Sequence, residues 1–315
     1  MQPIWKDYYV TLGTGDSVEY TIRNSGGNII YSGKAYKRPD VFSIRVKIND
    51  ICANYLHQTF PDIRSEGIEN PDGLAEQFTV NDAQGNVIDT VVFAYDWSYD
   101  YDREVVSVAS SPISPIIAPN QPIIYTQFNA PSIDVRIELA DGTVEMVNYP
   151  SGGVSANVVV LLKDYPTAKD VRINGLTYTV GQMCAENILY YVNEFGGWDS
   201  FIIEGATNRQ DNYSRNEYKQ VYDNSRPQNR GTFNYLNEIT RQYTFNTGWL
   251  SDEQSLKMRH IFSSPLVYMY NLATMQFIPL VLTDNSYEYK TYKQQGRRLV
   301  RYTIKANEAK TIIRR

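Results

Sequence analysis

The chain has 315 residues, of which 42% are hydrophobic and 21% are charged, so it is long enough to bury a large core and its composition excludes global disorder. The net charge of −5 argues neither for a nucleic-acid binder nor for a membrane-surface protein. Tyrosine is unusually frequent, with 26 residues, and this usage favours strands and wet contact surfaces over a helical bundle.

Charge is distributed unevenly along the chain. Residues 1–195 contain 13 basic and 24 acidic side chains, a net charge of −11, whereas residues 196–315 contain 17 and 11, a net charge of +6. One interpretation is that the solvated surfaces of the two parts simply differ. The other is that an acidic end and a basic end meet in adjacent subunits, where complementary potential fixes their register.

The beginning of the chain and its cysteines give further expectations. The segment 1–6 lacks a charged region followed by an apolar run, so no signal peptide is predicted. No apolar stretch reaches about 18 residues, so we expect a soluble chain that does not cross a membrane. Cys52 and Cys184 are far apart and form no close pair, which predicts buried free thiols and assembly in a reducing cytoplasm.

Four hairpins are predicted where strand-forming runs flank turn-forming residues. They join Val18–Arg23 to Asn28–Lys34, Gln77–Val80 to Val87–Ala94, Val135–Leu139 to Thr143–Tyr149, and Val171–Ile173 to Leu176–Val180. The last two contain Asp141-Gly142 and Asn174-Gly175, which tolerate the positive φ angles of a type I′ turn. The expected fold is therefore mainly β, with two or three antiparallel β-sandwich-like domains and a few short helices.

The first of these helices is predicted over Asn49–Phe60. Ile51, Tyr55 and Leu56 lie at helical spacing, and Asn49 or Asp50 is available as the N-cap. Pro61 is expected to end the helix because proline disfavours the helical conformation of the preceding residue.

The second helix is predicted near 251–262. Ser251 and Gln254 have the spacing of a capping box, in which each side chain binds a backbone N–H of the other residue. Leu256, His260 and Ile261 are expected to share an apolar stripe, and Pro265 to stop the helix.

Pro112–Pro122 contains four prolines in eleven residues, so it cannot form a central strand and is the best candidate for a domain boundary. A second transition is expected near residues 185–200, where the charge changes sign. The predicted organisation is an N-terminal β domain with one short helix (1–112), a proline-rich linker (113–122), middle β hairpins (123–184) and a C-terminal β domain with the capped helix (185–315).

Residues suited to bond-breaking chemistry are scarce. The only histidines are His57 and His260, one on each predicted helix, and neither has a nucleophile motif to serve. Zinc needs several histidine or cysteine ligands at close spacing, and the phosphate-binding glycine motifs are absent. We therefore predict no catalytic, cofactor-binding or metal-binding residue and no enzymatic activity.

Tyr95–Glu104 is the one stretch that combines acids with aromatic rings. Its four acids and four aromatic residues alternate, so they can bind Ca²⁺ through oxygen ligands or stack on a sugar ring. The second interpretation, which we favour, is an edge strand or loop at an interface with aromatics on one face and acids on the other.

Ile188–Gly205 reads as two apolar strands joined through Glu194-Phe195-Gly196-Gly197. The glycines permit a tight turn, Trp198 is expected to anchor it by burial, and Asp199 to bind its backbone N–H groups. This segment resembles the YYxNxxGGWDxxxxxG stretch of virion proteins from crAss-like, Bacteroides-infecting tailed bacteriophages. Arg45–Leu56, and the order of strands and capped helix over 245–307, are also similar to phage tail and baseplate proteins.

The resemblance implies a structural virion protein without a cofactor, a homo-oligomeric ring or connector of six- or twelve-fold symmetry in the neck or tail. It implies portal, neck or tail proteins as neighbours, DNA only as cargo in the lumen, no membrane partner, and assembly in the bacterial host cytoplasm. A distal-tail or baseplate protein and a glycan-binding adhesin stay open as alternatives. A tail-borne glycosidase or peptidase is the third hypothesis, and the scarcity of histidine counts against it.

Overall fold

The computed structural model describes residues 1–39, 41–71, 73–98, 109, 116–181, 186–219, 232–284, 293–294, 297–298 and 300–314. Strands hold 57% of the residues and helices 8%, so the predicted mainly β, sandwich-like fold class is confirmed. The chain divides into two compact units. The first comprises Met1–Gln182 and Val192–Asp199, and the second comprises Met183–Tyr191 and Ser200–Arg315.

The first unit contains strands β1 to β15, most of which are short. They are β1 (Gln2–Pro3), β2 (Tyr9–Gly13), β3 (Ser17–Arg23), β4 (Ile29–Tyr36), β5 (Ile44–Lys47), β6 (Gly67–Glu69), β7 (Ala75–Asp82), β8 (Val87–Ala94), β9 (Ile116–Ile117), β10 (Pro122–Phe128), β11 (Ser132–Leu139), β12 (Val144–Pro150), β13 (Ser155–Leu161), β14 (Ala168–Ile173) and β15 (Leu176–Val180). Helix α1 spans Asn49–Cys52, and short 3-10 helices span Ala53–Tyr55 and Leu162–Asp164.

Two large hydrophobic cores lie inside this unit, and a smaller cluster includes Leu74, Ala94 and Phe128. In the N-terminal part, a five-stranded sheet of order β1-β8-β7-β3-β4 and the β2-β5 pair surround a core that includes Ile22, Phe78 and Phe93. The other core, which includes Tyr125 and Val158, lies between the sheets β10-β13-β6 and β12-β11-β14-β15-β9. Strand β6 thus pairs with the middle part of the chain, and the predicted four-part domain division stays a prediction.

The second unit is built on one large antiparallel sheet. Its strands are β16 (Asn187–Val192), β17 (Trp198–Ile203), β18 (Thr207–Lys219), β19 (Thr232–Asn246), β20 (Val267–Asn271), β21 (Gln276–Leu282), β24 (Thr303–Glu308) and β25 (Ile312–Arg314), while β22 (Lys293–Gln294) pairs separately with β23 (Arg297–Arg298). The sheet order is β17-β16-β20-β21-β24-β19-β18, with β25 also on β19. Helix α2 spans Asp252–Ser263, and Met258 and Ile261 join Phe245 in the core.

All four predicted hairpins are present. A type I′ turn was expected in two of them, and only one of the two has that geometry. Asn174 and Gly175 have φ angles of 42° and 92°, as a type I′ turn requires. At Asp141-Gly142 only the glycine is left-handed, with φ 85°, and its N–H donates to the carbonyl of Leu139 at 3.0 Å. This turn is therefore one residue longer than the I′ turn predicted for it.

The prediction for the first helix was wrong in length and in its cap. Helical structure ends at Tyr55, and Leu56 is extended with φ −95° and ψ 131°. The physical reason is tertiary, because the N–H of His57 donates to the carbonyl of Gly73 at 2.8 Å and directs the chain away from the helix axis. Ile48 is the N-cap, and Asn49 instead donates its side-chain amide to the carbonyl of Ile4.

The second helix has the predicted capping box, in which Ser251 Oγ accepts from the Gln254 N–H at 3.3 Å and Gln254 Oε1 accepts from the Ser251 N–H at 3.0 Å. Its predicted apolar stripe was partly wrong, because Leu256 is 50% exposed. The buried positions are Ser255, Lys257, Met258 and Ile261, of which Ser255, Met258 and Ile261 are three residues apart along one face. The helix ends at Ser263, two residues before Pro265.

Part of the proline-rich segment lies outside the described residues, as does Cys184. The described part agrees with the expectation that this segment forms no central strand. Ile116–Ile117 is the end strand of its sheet, and Pro122 is the first residue of β10, which is itself an end strand.

Candidate interaction surfaces

The turn between β16 and β17 is organised by Asn193. Its Oδ1 accepts the N–H groups of Phe195 at 2.9 Å and Gly197 at 3.0 Å. Its Nδ2 donates to the carbonyl of Ala109 at 2.7 Å and to Asp199 Oδ2 at 2.9 Å. Asn193 therefore binds two of the turn N–H groups, and Asp199 accepts a hydrogen bond from the same amide and helps to orient it.

Trp198 is buried, as predicted, with 1% of its surface exposed. Its Nε1–H donates to the carbonyl of Thr59 at 3.2 Å, and its backbone N–H donates to Thr126 Oγ1 at 3.2 Å. Phe60 meets the indole edge-on, with ring centroids 5.2 Å apart. All these partners belong to the first unit, so Trp198 fixes the segment Val192–Asp199 inside that unit.

The two glycines of the turn are required by close packing. Gly196 has a φ angle of 88°, and a Cβ there would overlap the carbonyl oxygen of Tyr95. A Cβ on Gly197 would come within 2.5 Å of the carbonyl oxygen of Ala109. The turn thus combines a left-handed backbone with close approach of two carbonyl groups, and only glycine satisfies both conditions.

The described histidines and cysteine lie apart from one another and serve packing. His57 is exposed and lies outside the helix on which it was predicted, and its ring packs against Gly73. His260 is partly buried on α2, and burial together with Arg259 and Lys257 lowers its pKa to about 4. Cys52 is fully buried in the N-terminal core, where burial raises the pKa of its thiol to about 12.

Only the first four residues of Tyr95–Glu104 are described, and they form a loop, which is one of the two forms predicted for the segment. Asp96 is fully buried, and its Oδ1 accepts the N–H of Ser98 at 2.9 Å. Tyr95 and Trp97 pack edge-on with centroids 6.2 Å apart, and the Trp97 N–H donates to the carbonyl of Glu194 at 2.7 Å. The four residues thus lie against the Asn193 turn.

Metal-binding clusters and membrane-spanning helices are both missing from the described residues. No group of three or more histidine, cysteine, aspartate and glutamate side chains among them is arranged to hold a metal ion. Within the same residues, no helix has the length and apolar character needed to cross a bilayer. Their most prominent remaining features are exposed contact surfaces.

One such surface is the tyrosine hairpin, which we define as β18 and β19 with the exposed rings of Tyr213, Tyr218 and Tyr235. These rings are 60%, 47% and 55% exposed, and those of Tyr218 and Tyr235 are 6.2 Å apart. Strands β24 and β25 pair with β19 only between Asn237 and Asn246. Toward the far end, residues 232–236 therefore pair with β18 alone in the described part of the chain, as a two-stranded ribbon.

A second surface is the aromatic groove of the first unit, a cavity of about 500 Å³ lined by Tyr9, Tyr36, Arg38, Phe42 and Arg45. Phe42 is 92% exposed and Tyr36 69%. Neither guanidinium group makes an ion pair or hydrogen bond with another described residue. The groove therefore offers aromatic faces beside two cations.

The comparisons with known proteins add no family to these observations. A scan against protein-family models finds no model that matches the chain, and no curated protein matches its sequence.

Proposed function

We propose that this chain is a structural subunit that assembles with copies of itself into a ring. On the strength of the resemblance, we place this ring in the neck or tail of a tailed bacteriophage, where DNA passes through its lumen and portal, neck or tail proteins adjoin it. The observation that carries the proposal of self-assembly is the tyrosine hairpin.

A two-stranded ribbon in water is marginally stable, because it buries little apolar surface. The far end of the tyrosine hairpin nevertheless places Tyr218 and Tyr235 on such a ribbon, largely exposed. Tyrosine offers a large rigid contact area at low cost in side-chain entropy, and it is enriched at protein interfaces. A partner that covers this ribbon would bury both rings and complete its packing.

The charges of the two units favour a copy of the chain as that partner. The first unit has a net charge of −11 and the second, which carries the hairpin, has +6. These sums equal those of residues 1–195 and 196–315, because the two divisions differ only by exchanging Glu186 for Asp199 among their charged residues. Opposite potentials on two parts of one chain attract neighbouring copies in a head-to-tail orientation and oppose like-to-like contact. A head-to-tail interface closes into a ring when its rotation is suitable.

Mass measurement of the purified full-length chain across a concentration series tests the proposal. We expect an oligomer for the wild type, and a dissociation constant at least ten-fold weaker for the double variant Tyr218→Ser, Tyr235→Ser. Met275→Asn is the matched control, since Met275 is 52% exposed and its φ of 54° suits asparagine. A wild-type chain that stays monomeric, alone and with virion proteins, overturns the proposal.

Electron microscopy of the oligomer then tests the ring. We expect closed particles of six- or twelve-fold symmetry, with the positive face of the second unit away from the lumen so that DNA slides without binding. Turnover of polysaccharide or peptidoglycan by the same preparation would contradict the proposal that the chain has no enzymatic role.

The aromatic groove favours a second candidate, a glycan-binding adhesin of the tail. Aromatic faces such as those of Tyr36 and Phe42 stack on sugar rings, and Arg38 and Arg45 suit a carboxylate-bearing sugar. A glycan array tests this candidate, which predicts specific binding that is lost in Phe42→Ala and kept in Met275→Asn. Absence of binding to acidic glycans at millimolar concentration removes it.

A further inference from the structure

Strand β4 is an end strand whose outer edge pairs with no other strand in the described part of the chain. The Lys37 N–H donates to the carbonyl of Asp16 at 2.9 Å, so these opposite residues form a hydrogen-bonded pair. Hydrogen-bonded and non-bonded pairs alternate along an antiparallel ladder. Counting back from Lys37, residues Tyr36, Lys34 and Ser32 therefore direct their backbone N–H and C=O groups away from β3, and all three are exposed.

Strand β12 has the same property at the end of another sheet in the same unit. The Leu139 N–H donates to the carbonyl of Thr143 at 2.9 Å, which fixes the alternation with β11. Val144, Met146 and Asn148 therefore direct their backbone groups outward. Met146 is 75% exposed and Val144 40%, so this edge presents apolar side chains beside backbone groups that pair with no other strand among the described residues.

The two edges differ in charge. Residues 29–38, which include β4, contain Lys34, Lys37 and Arg38 and no acid. Glu145 is the one charged residue of β12, and the adjoining strand and turn, residues 134–143, add three acids and one arginine. The β4 edge is thus a basic region on a unit whose net charge is −11. Pairing β4 with β4, or β12 with β12, would bring like charges together, but pairing β4 with β12 brings together opposite ones.

We infer that the β4 edge of one copy pairs with the β12 edge of the next, so that a continuous sheet crosses the boundary between subunits. This inference rests on the proposed self-assembly and adds a second contact between neighbouring copies, beside the one proposed for the tyrosine hairpin. Strand addition supplies backbone hydrogen bonds, and the charges select the partner. Because the two edges are different parts of one unit, the contact is head-to-tail and leaves a free edge at each end until a ring closes.

The side chains present on β4 do not block such pairing. Lys34 contacts Glu19 at 3.9 Å, and both side chains are largely exposed, so this ion pair is weak and readily exchanged for one with a neighbouring copy. Strand β12 carries no lysine, and its only proline is Pro150 at the far end. Strand β12 therefore lacks, over residues 144–149, the lysine and proline by which proteins often protect an edge strand, whereas the lysine of β4 is the proposed ion-pair partner of the neighbouring copy.

Met146→Pro gives the sharpest test, because proline removes an outward N–H and leaves the hydrogen bonds to β11 in place. We expect the oligomer to dissociate to monomers, or to weaken at least ten-fold, with an unchanged circular dichroism spectrum. Hydrogen exchange of the wild type should show slower exchange at residues 32–36 and 144–148 in the oligomer than in the diluted monomer.

Charge exchange provides a second test that does not depend on proline. Glu145→Lys and Lys34→Glu should each weaken assembly, and the two together should restore it, while Glu186→Lys in the second unit should have no effect. The edge pairing is overturned if Met146→Pro assembles as tightly as the wild type, or if the double variant assembles more weakly than both single variants. Either result leaves the proposed self-assembly standing. A monomeric wild type overturns both.

Discussion

The indole of Trp198 meets the ring of Phe60 edge-on, with planes at 86° and centroids 5.2 Å apart. Because the indole is almost completely buried, Trp198→Ala should lower the free energy of unfolding by about 3–5 kcal/mol. Urea unfolding followed by circular dichroism measures the change.

Trp198→Phe is the control for this prediction. It keeps an aromatic ring against Phe60 and removes the hydrogen bond to the carbonyl of Thr59, so a smaller loss of about 1–2 kcal/mol is expected. Equal stability of Trp198→Ala and the wild type would show that the indole does not stabilise the turn.

Gly196→Ala should destabilise the fold more than Gly85→Ala. The two glycines have nearly the same φ angle, 88° and 89°, so both substitutions impose the same backbone strain of about 1–2 kcal/mol. A Cβ at Gly85 meets nothing within 4 Å, whereas one at Gly196 overlaps the carbonyl of Tyr95. Comparing the melting temperatures of the two variants isolates the destabilisation caused by the overlap with Tyr95. Equal melting temperatures would refute the prediction.

His260 should make stability depend on pH. Its pKa is lowered to about 4 chiefly by burial, so between about pH 6.5 and 4 the unfolded chain binds a proton at this position that the folded chain does not. Unfolding free energy should therefore fall as the pH decreases through this window, by an amount on the order of 2–3 kcal/mol. His260→Gln should lack this component of the fall, and His57→Gln should keep it. Parallel stability curves for wild type and His260→Gln would contradict the prediction.

Cys52 should react with thiol reagents only when the fold opens. Its side chain is fully buried and its pKa is raised to about 12, chiefly by burial and further by the charge of Glu76. In a Cys184→Ser background, alkylation at pH 8 should be at least about 100-fold slower in buffer than in denaturant. The further substitution Cys52→Ser measures the background alkylation. Rapid alkylation of the native chain would show that the thiol is accessible.

Much of the strand pattern could be predicted because turn-forming residues mark the hairpins locally. Asn174-Gly175 marks its hairpin without any knowledge of the rest of the fold, since few residues other than glycine and asparagine adopt positive φ readily. The turn at Asp141-Gly142 shows where such reasoning ends. The dipeptide indicates a turn, but the hydrogen bond between Gly142 and Leu139 sets its length.

The features that could not be predicted depend on partners distant in the chain. Asparagine is a preferred N-cap residue, yet the side chain of Asn49 donates to the carbonyl of Ile4, 45 residues away. Asn193 is a polar residue beside a turn, and its side-chain amide donates to the carbonyl of Ala109, 84 residues away. The exposed tyrosines of β18 and β19 likewise cannot be told from buried ones by composition, because tyrosine suits both environments.

The chain passes between its two units three times, after Gln182, Tyr191 and Asp199. A fragment that stops at residue 182 would omit the eight-residue insertion that carries Trp198, and its complement would carry that insertion without the residues that enclose it. Neither fragment is a self-sufficient module. Expression trials should therefore use the intact chain. Recombination between related genes at the charge boundary would need the segment that carries Trp198 to remain compatible with the residues that enclose it.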